Sequence, residues 1–208
     1  MALFPAYAFA DVADYVTAYA AAIAECFASI EPSQIRQAAL AVERVVVGGG
    51  TLFACGNGGS AAIANHLVCD CVKGMRANSG LAPKVHSLSA NVEILTAIAN
   101  DMAYDEVFRY QLECLSAPGD LLIAISSSGN SPNILQALRW ARNNGRTTIA
   151  MTGFDGGDAA RLAEISLHVM AENYGVVEDV HQSLMHLLAQ YLRQRHIADP
   201  KLVGTVKF

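Results

Sequence analysis

The chain has 208 residues, 53% of them apolar and 16% charged, enough to bury one substantial core and short enough to form one domain. A net charge of −5 and a pI near 5.6 argue against nucleic acid as a direct ligand, because no broad positive field meets a phosphate backbone. No stretch reaches the roughly 20 apolar residues of a membrane span, the apolar start runs into Asp11 and Asp14 without a basic leader, and five cysteines with no Cys-x-x-Cys pair give no disulfide framework; the expected place is the cytoplasm.

Two helices come first. Ile35, Ala38, Ala39, Val42 and Val46 repeat on one helical face, with Pro32 and Ser33 at the start and Gly48–Gly50 at the stop. From Thr51 short apolar runs alternate with turn residues and helical stretches, as in repeated βαβ units. The expected strands are Thr51 to Cys55, Lys84 to Leu88, Leu121 to Ser126, Thr147 to Met151 and Ile165 to Met170. Their near-continuous hydrophobic character predicts a parallel sheet covered on both faces. The expected fold is therefore α/β, a three-layer αβα sandwich with a five-stranded parallel sheet of the flavodoxin or Rossmann kind, plus N-terminal helices. Residues 1–200 form the domain and 201–208 a tail.

In open parallel sheets ligands bind beyond the carboxyl ends of the strands, where helix N-termini present free N–H groups. The first strand runs into Gly56-Asn57-Gly58-Gly59-Ser60-Ala61, which matches G-x-G-x-x-A in form. No acidic residue follows the next strand to hold a ribose, and no nucleotide cofactor is expected. Asn57 and Ser60 instead suit hydroxyl and phosphate contacts. In the helix that follows, Ile63, Leu67 and Cys71 share one face, whereas His66, Cys69, Asp70 and Lys73 share another.

The third expected strand leads into Ser126-Ser127-Ser128-Gly129-Asn130-Ser131, and Pro132 then opens a helix. Hydroxyls around a glycine turn at a helix N-terminus can surround a phosphate with neutral donors, and no lysine is needed. Ser131 taken alone reads as a helix cap. On the last helix Glu178, Gln182 and His186 align at i, i+4 and i+8 beside an apolar stripe. His66, Cys69, Glu178 and His186 form a plausible zinc set if the two helices meet, and imidazoles paired with carboxylates there can move protons near neutral pH. His86, His168, His181 and His196 read as structural or exposed.

Together Gly56-Asn57-Gly58-Gly59-Ser60, Asn100-Asp101, Ile125 to Ser131, Thr152-Gly153-Phe154-Asp155-Gly156-Gly157 and His186 resemble the sugar isomerase (SIS) domain family, in particular its sedoheptulose-7-phosphate isomerase branch, from about Phe4 to His196. The resemblance implies a homotetramer with sites between subunits. It places phosphate on Ser126, Ser127, Ser128 and Ser131, and sugar on Asn57, Ser60 and Asp101. It implies an enediol proton transfer between C1 and C2, with His186 as the acid. The family's glutamate base aligns with Cys69, Asp70 lying one residue on, so Asp70 and Glu178 become the candidate bases. On this alignment a Cys69→Glu variant is expected to raise activity if the base has been lost. Some members hold zinc at positions matching His66, Cys69, Glu178 and His186. A second branch, non-catalytic tetramers that regulate replication initiation by binding the initiator protein, resembles the chain across Leu95 to Asp101 and Asp105-Glu106-Val107. It lacks the last-helix histidine, so the retained His186 and His66 favour an isomerase.

Overall fold

The computed structural model describes residues 4–205; Val206 to Phe208, the end of the expected tail, lie outside the described residues. Two helices, α1 (Val12–Ser29) and α2 (Pro32–Val47), open the chain. Asp11 caps the first by accepting the Ala13 N–H, and Pro32 starts the second where a missing N–H costs nothing. There follow β1 (Thr51–Gly56), α3 (Gly59–Cys69), β2 (Lys84–Ser87), α4 (Val92–Asp101), a 3₁₀ turn (Tyr104–Glu106), α5 (Arg109–Leu115), β3 (Leu121–Ser126), α6 (Pro132–Asn143), β4 (Thr147–Thr152), α7 (Gly157–Leu162), β5 (Ile165–His168) and α8 (Tyr174–His196).

The five strands are all parallel, in the order β2-β1-β3-β4-β5. Central β3 is buried along its whole length and divides its side chains between two cores. Leu121, Ile123 and Ile125 pack with residues of α1, α2, α3 and α8, while Leu122 and Ala124 pack with α4, α5, α6 and α7. Burial on both faces is why the strands read as unbroken apolar runs. The three-layer expectation holds, with strand limits shifted by one or two residues.

This strand order reverses between β1 and β3. The chain leaves β1 for one edge and returns to continue on the other side, so the loops after β1 and β3 diverge and open a crevice at the carboxyl edge.

One element departs from the periodicity. The helix after Ser60 was expected to run on regularly through Cys71 and Lys73, but α3 gives way at Asp70 to a single π turn, Asp70–Met75. The wider turn buries Cys71, Gly74 and Met75 together and leaves Val72 and Lys73 outside. Such turns recur at functional sites.

Candidate active site

The loops after β1 and β3 and the start of α8 enclose a cleft of about 300 Å³. Asn57 and Ser60 line one side, and Ser126, Ser127, Ser128 and Ser131 line the other. The tight geometry depends on two glycines. A Cβ on Gly129, whose φ is +65°, would meet the Gly156 carbonyl oxygen at 2.1 Å, and one on Gly59 would sit 2.2 Å from the Glu178 carboxylate. α3 and α6 both begin at the cleft, so two helix N-termini supply positive potential where no lysine or arginine lines the wall.

The serine hydroxyls differ in what they are free to do. Ser126 Oγ accepts from the Gly129 N–H at 3.2 Å, and Ser128 Oγ from the Asn130 N–H at 3.3 Å, which shapes the turn. Ser131 occupies the N-cap of α6 yet makes no side-chain capping bond, so its hydroxyl is not spent as the cap reading required. Ser127 Oγ is buried with no protein partner. A buried hydroxyl without a partner costs stability, and an anion acceptor in the cleft would satisfy it. Glu178 projects into this same cleft, and burial, assisted by neighbouring Asp179, pushes its pKa up from the ordinary carboxylate range.

A second group lies further along α8. His186 Nδ1 is 2.5 Å from Asp70 Oδ2, and His66 Nε2 is 3.3 Å from Asp70 Oδ1, so one largely buried carboxylate spans two imidazoles. The two rings meet edge to face with centroids 5.0 Å apart. Gln182 Nε2 is 2.9 Å from His186 Nε2; an amide donating there assigns the ring proton to Nδ1, directed at Asp70. His66, Asp70 and His186 line a pocket of about 400 Å³ with Cys69, Lys73 and Gln190. The ligand atoms of His66, Asp70 and His186 all lie within 4.8 Å of one another, a group that could hold a metal ion.

The expected metal set is therefore redrawn. Glu178 precedes His186 by eight residues, about 12 Å along the helix axis, and lines the serine cleft, outside the clustered donors. Cys69 lines the pocket but is exposed and outside the clustered donors, because the α-helical i, i+4 step from His66 lands on Asp70. Thus Asp70, and not Cys69, occupies the carboxylate position facing His186. Asp101 stands apart as well: it is exposed at the end of α4, paired with Asn100 Nδ2 at 2.8 Å, and lines neither pocket.

Sequence reasoning missed three residues here. Tyr174 lines the cleft, while Asn133 and Tyr104 both bond to Asn57. Asn133 follows Pro132, where an Asn reads as an ordinary first-turn residue, and nothing local marks it. His181, expected to be structural or exposed, is fully buried, and burial pushes its imidazole pKa down to about 4.

A family model for the SIS domain matches residues 14–153. A phosphoheptose isomerase of Desulfovibrio desulfuricans is 38% identical over 180 residues, 85% of either chain. The structure of a phosphoheptose isomerase from Neisseria gonorrhoeae superposes with a TM-score of 0.78 at 32% identity, covering 87% of this chain and 96% of that one. The sugar isomerase domain of an RpiR transcription factor from Sphaerobacter thermophilus, at 20% identity and a TM-score of 0.60, shares the fold.

Proposed function

The chain belongs to the SIS domain family, and from that premise we propose that it is a phosphoheptose isomerase, interconverting sedoheptulose 7-phosphate and the aldoheptose 7-phosphate. The observation that carries this reading is the Asp70–His186 pair at 2.5 Å, on the helix that also lends Glu178 to the anion cleft. A silent sugar-phosphate or replication-regulating tetramer has no use for a carboxylate held between two imidazoles. An isomerase needs it, since a proton must leave one carbon while another reaches the adjacent oxygen.

In this reading the serine loop and the two helix ends hold the phosphate, and Ser127 supplies a donor that the protein leaves unused. Asn57 and Ser60 orient the sugar. Asp70 takes the proton from the carbon beside the carbonyl while His186 delivers its Nδ1 proton to the carbonyl oxygen, giving an enediol; His186 then takes the proton of the neighbouring hydroxyl as Asp70 returns the first proton to the former carbonyl carbon. Glu178 lines the cleft beside the bound ligand. Two imidazoles and a carboxylate also suit zinc: His66, Asp70 and His186 would hold it, it would polarise the sugar oxygens when bound, and in that form Asp70 and His186 would serve as its ligands in place of moving protons.

A homotetramer completes the proposal. An apolar groove of about 410 Å³ between α2 and α8, lined by exposed Leu40, Leu187 and Tyr191, is the kind of surface a second copy covers. Among the described residues no helix is long and apolar enough to cross a membrane, and a cytoplasmic site is proposed.

The test is turnover of sedoheptulose 7-phosphate, with zinc added or chelated and His186→Ala as the control. Product formation in the parent, lost in His186→Ala, is the expected result. Binding of the sugar phosphate without product would overturn the isomerase assignment in favour of a binding tetramer.

A further inference from the structure

Asn57 sits in the loop after β1, yet its side chain is not free to meet a ligand in any orientation. Its Oδ1 accepts from Tyr104 Oη–H at 2.9 Å and from Asn133 Nδ2 at 2.9 Å, and its Nδ2 donates to Asn133 Oδ1 at 3.0 Å. An amide oxygen has two lone pairs and an amide nitrogen two N–H groups, so these bonds use both acceptor positions and one donor. One N–H remains.

The orientation is fixed from the backbone outward. Asn133 is almost fully buried in the first turn of α6, and its Oδ1 also accepts the Ile134 N–H at 3.0 Å. A backbone N–H can only donate, so that contact sets which end of the Asn133 amide is oxygen. The reciprocal pair then sets Asn57, and Asn57 Oδ1 in turn requires Tyr104 to donate. A chain of four groups thus runs from the helix behind the serine loop, through the glycine loop, to the exposed 3₁₀ turn carrying Tyr104.

We propose that Tyr104 and Asn133 are positioning residues that hold Asn57 with a single N–H turned to the cleft, so that the site offers the sugar a donor and never an acceptor at this point. The ligand group met there is an oxygen with a free lone pair, a carbonyl or a hydroxyl accepting the bond. Because Asn133 sits one residue beyond Pro132, two beyond Ser131 of the phosphate loop, the same chain fixes the sugar donor relative to the phosphate. Neither residue lines the serine cleft. The inference rests on the isomerase reading for its sugar ligand.

Tyr104→Phe removes one hydroxyl from an exposed ring and should leave the fold intact. Calorimetric titration with sedoheptulose 7-phosphate and, separately, with inorganic phosphate is read beside KM and kcat. The expected result is sugar-phosphate affinity about 3- to 10-fold weaker, the range of one net hydrogen bond, with KM rising in step and the affinity for inorganic phosphate unchanged. In an Asn57→Ala background Tyr104→Phe should then add nothing further. Unchanged sugar affinity in the single variant, an equal loss for inorganic phosphate, or additive losses in the double variant would each overturn the proposal. A parent protein that binds phosphate but not the sugar phosphate would instead remove the isomerase reading, and this inference with it.

Discussion

The serine cleft and the His66–Asp70–His186 pocket are built on opposite plans. The cleft is made by backbone: strand ends, glycine turns and helix N-termini set its shape, and its donors come from neighbours in sequence. The pocket is made by side chains from two helices, with Asp70 and His186 separated by 116 positions and joined only because α3 and its π turn pack on α8. A backbone site tolerates the loss of one hydroxyl, since dipoles and N–H groups remain. A side-chain site fails when one member goes, because each group is defined by its partner.

The largest effect should follow Asp70→Ala. It leaves His66 and His186 without their shared carboxylate and removes the proposed base, so turnover should fall by roughly 10²- to 10⁴-fold, the usual range for a general acid or base. Inorganic phosphate should bind as before, because Asp70 does not line the cleft. Steady-state kinetics with phosphate titration checks both halves. A comparable loss of phosphate binding would mean that cleft and pocket are one unit, and the contrast drawn above would collapse.

That contrast also accounts for what the sequence disclosed. Gly56-Asn57-Gly58-Gly59-Ser60 and Ser126 to Ser131 each carry their structural context with them, a strand before and a helix after, so the cleft could be placed at a sheet edge before any contact was known. The five strands were legible because burial on both faces leaves an apolar run. The position facing His186 was not, since the choice between Cys69 and Asp70 turns on which residue sits one helical repeat beyond His66 and on how α8 packs there. Glu178 was expected beside His186 from the i, i+8 spacing, but spacing gives direction and not distance, and Glu178 lines the other pocket. Asn133 and Tyr104 were invisible because their partner, Asn57, is 76 and 47 positions away.

A middle-sized effect is expected at Ser127. Its hydroxyl is buried with no protein partner, so Ser127→Ala should relieve a desolvation cost of about 1 kcal/mol and raise Tm by about 2–4 °C. The same change removes a donor to the phosphate and should weaken inorganic phosphate binding by about tenfold. Thermal melting and phosphate titration must move in opposite directions. A fall in both would show that Ser127 supports the loop from within, in which case the cleft is less preorganised than its geometry indicates.

The smallest effect is expected where alignment alone placed the base. Cys69 is exposed, and its sulfur is not among the donors gathered within 4.8 Å around Asp70. A carboxylate there would add charge at the pocket wall without displacing Asp70 from His186, so Cys69→Glu should leave kcat within about twofold of the parent, a change of less than about 0.5 kcal/mol in the barrier. The gain expected from the sequence would require the residue at 69 to reach the reacting carbons, which the i, i+4 step from His66 assigns to its neighbour. A tenfold rise in kcat would therefore place the proton-transfer site on the Cys69 side of the helix, and a tenfold fall would show that charge on that wall is felt at the pair. No change would confirm that one residue of helical register, about 100° of rotation, decides which side chain does the chemistry.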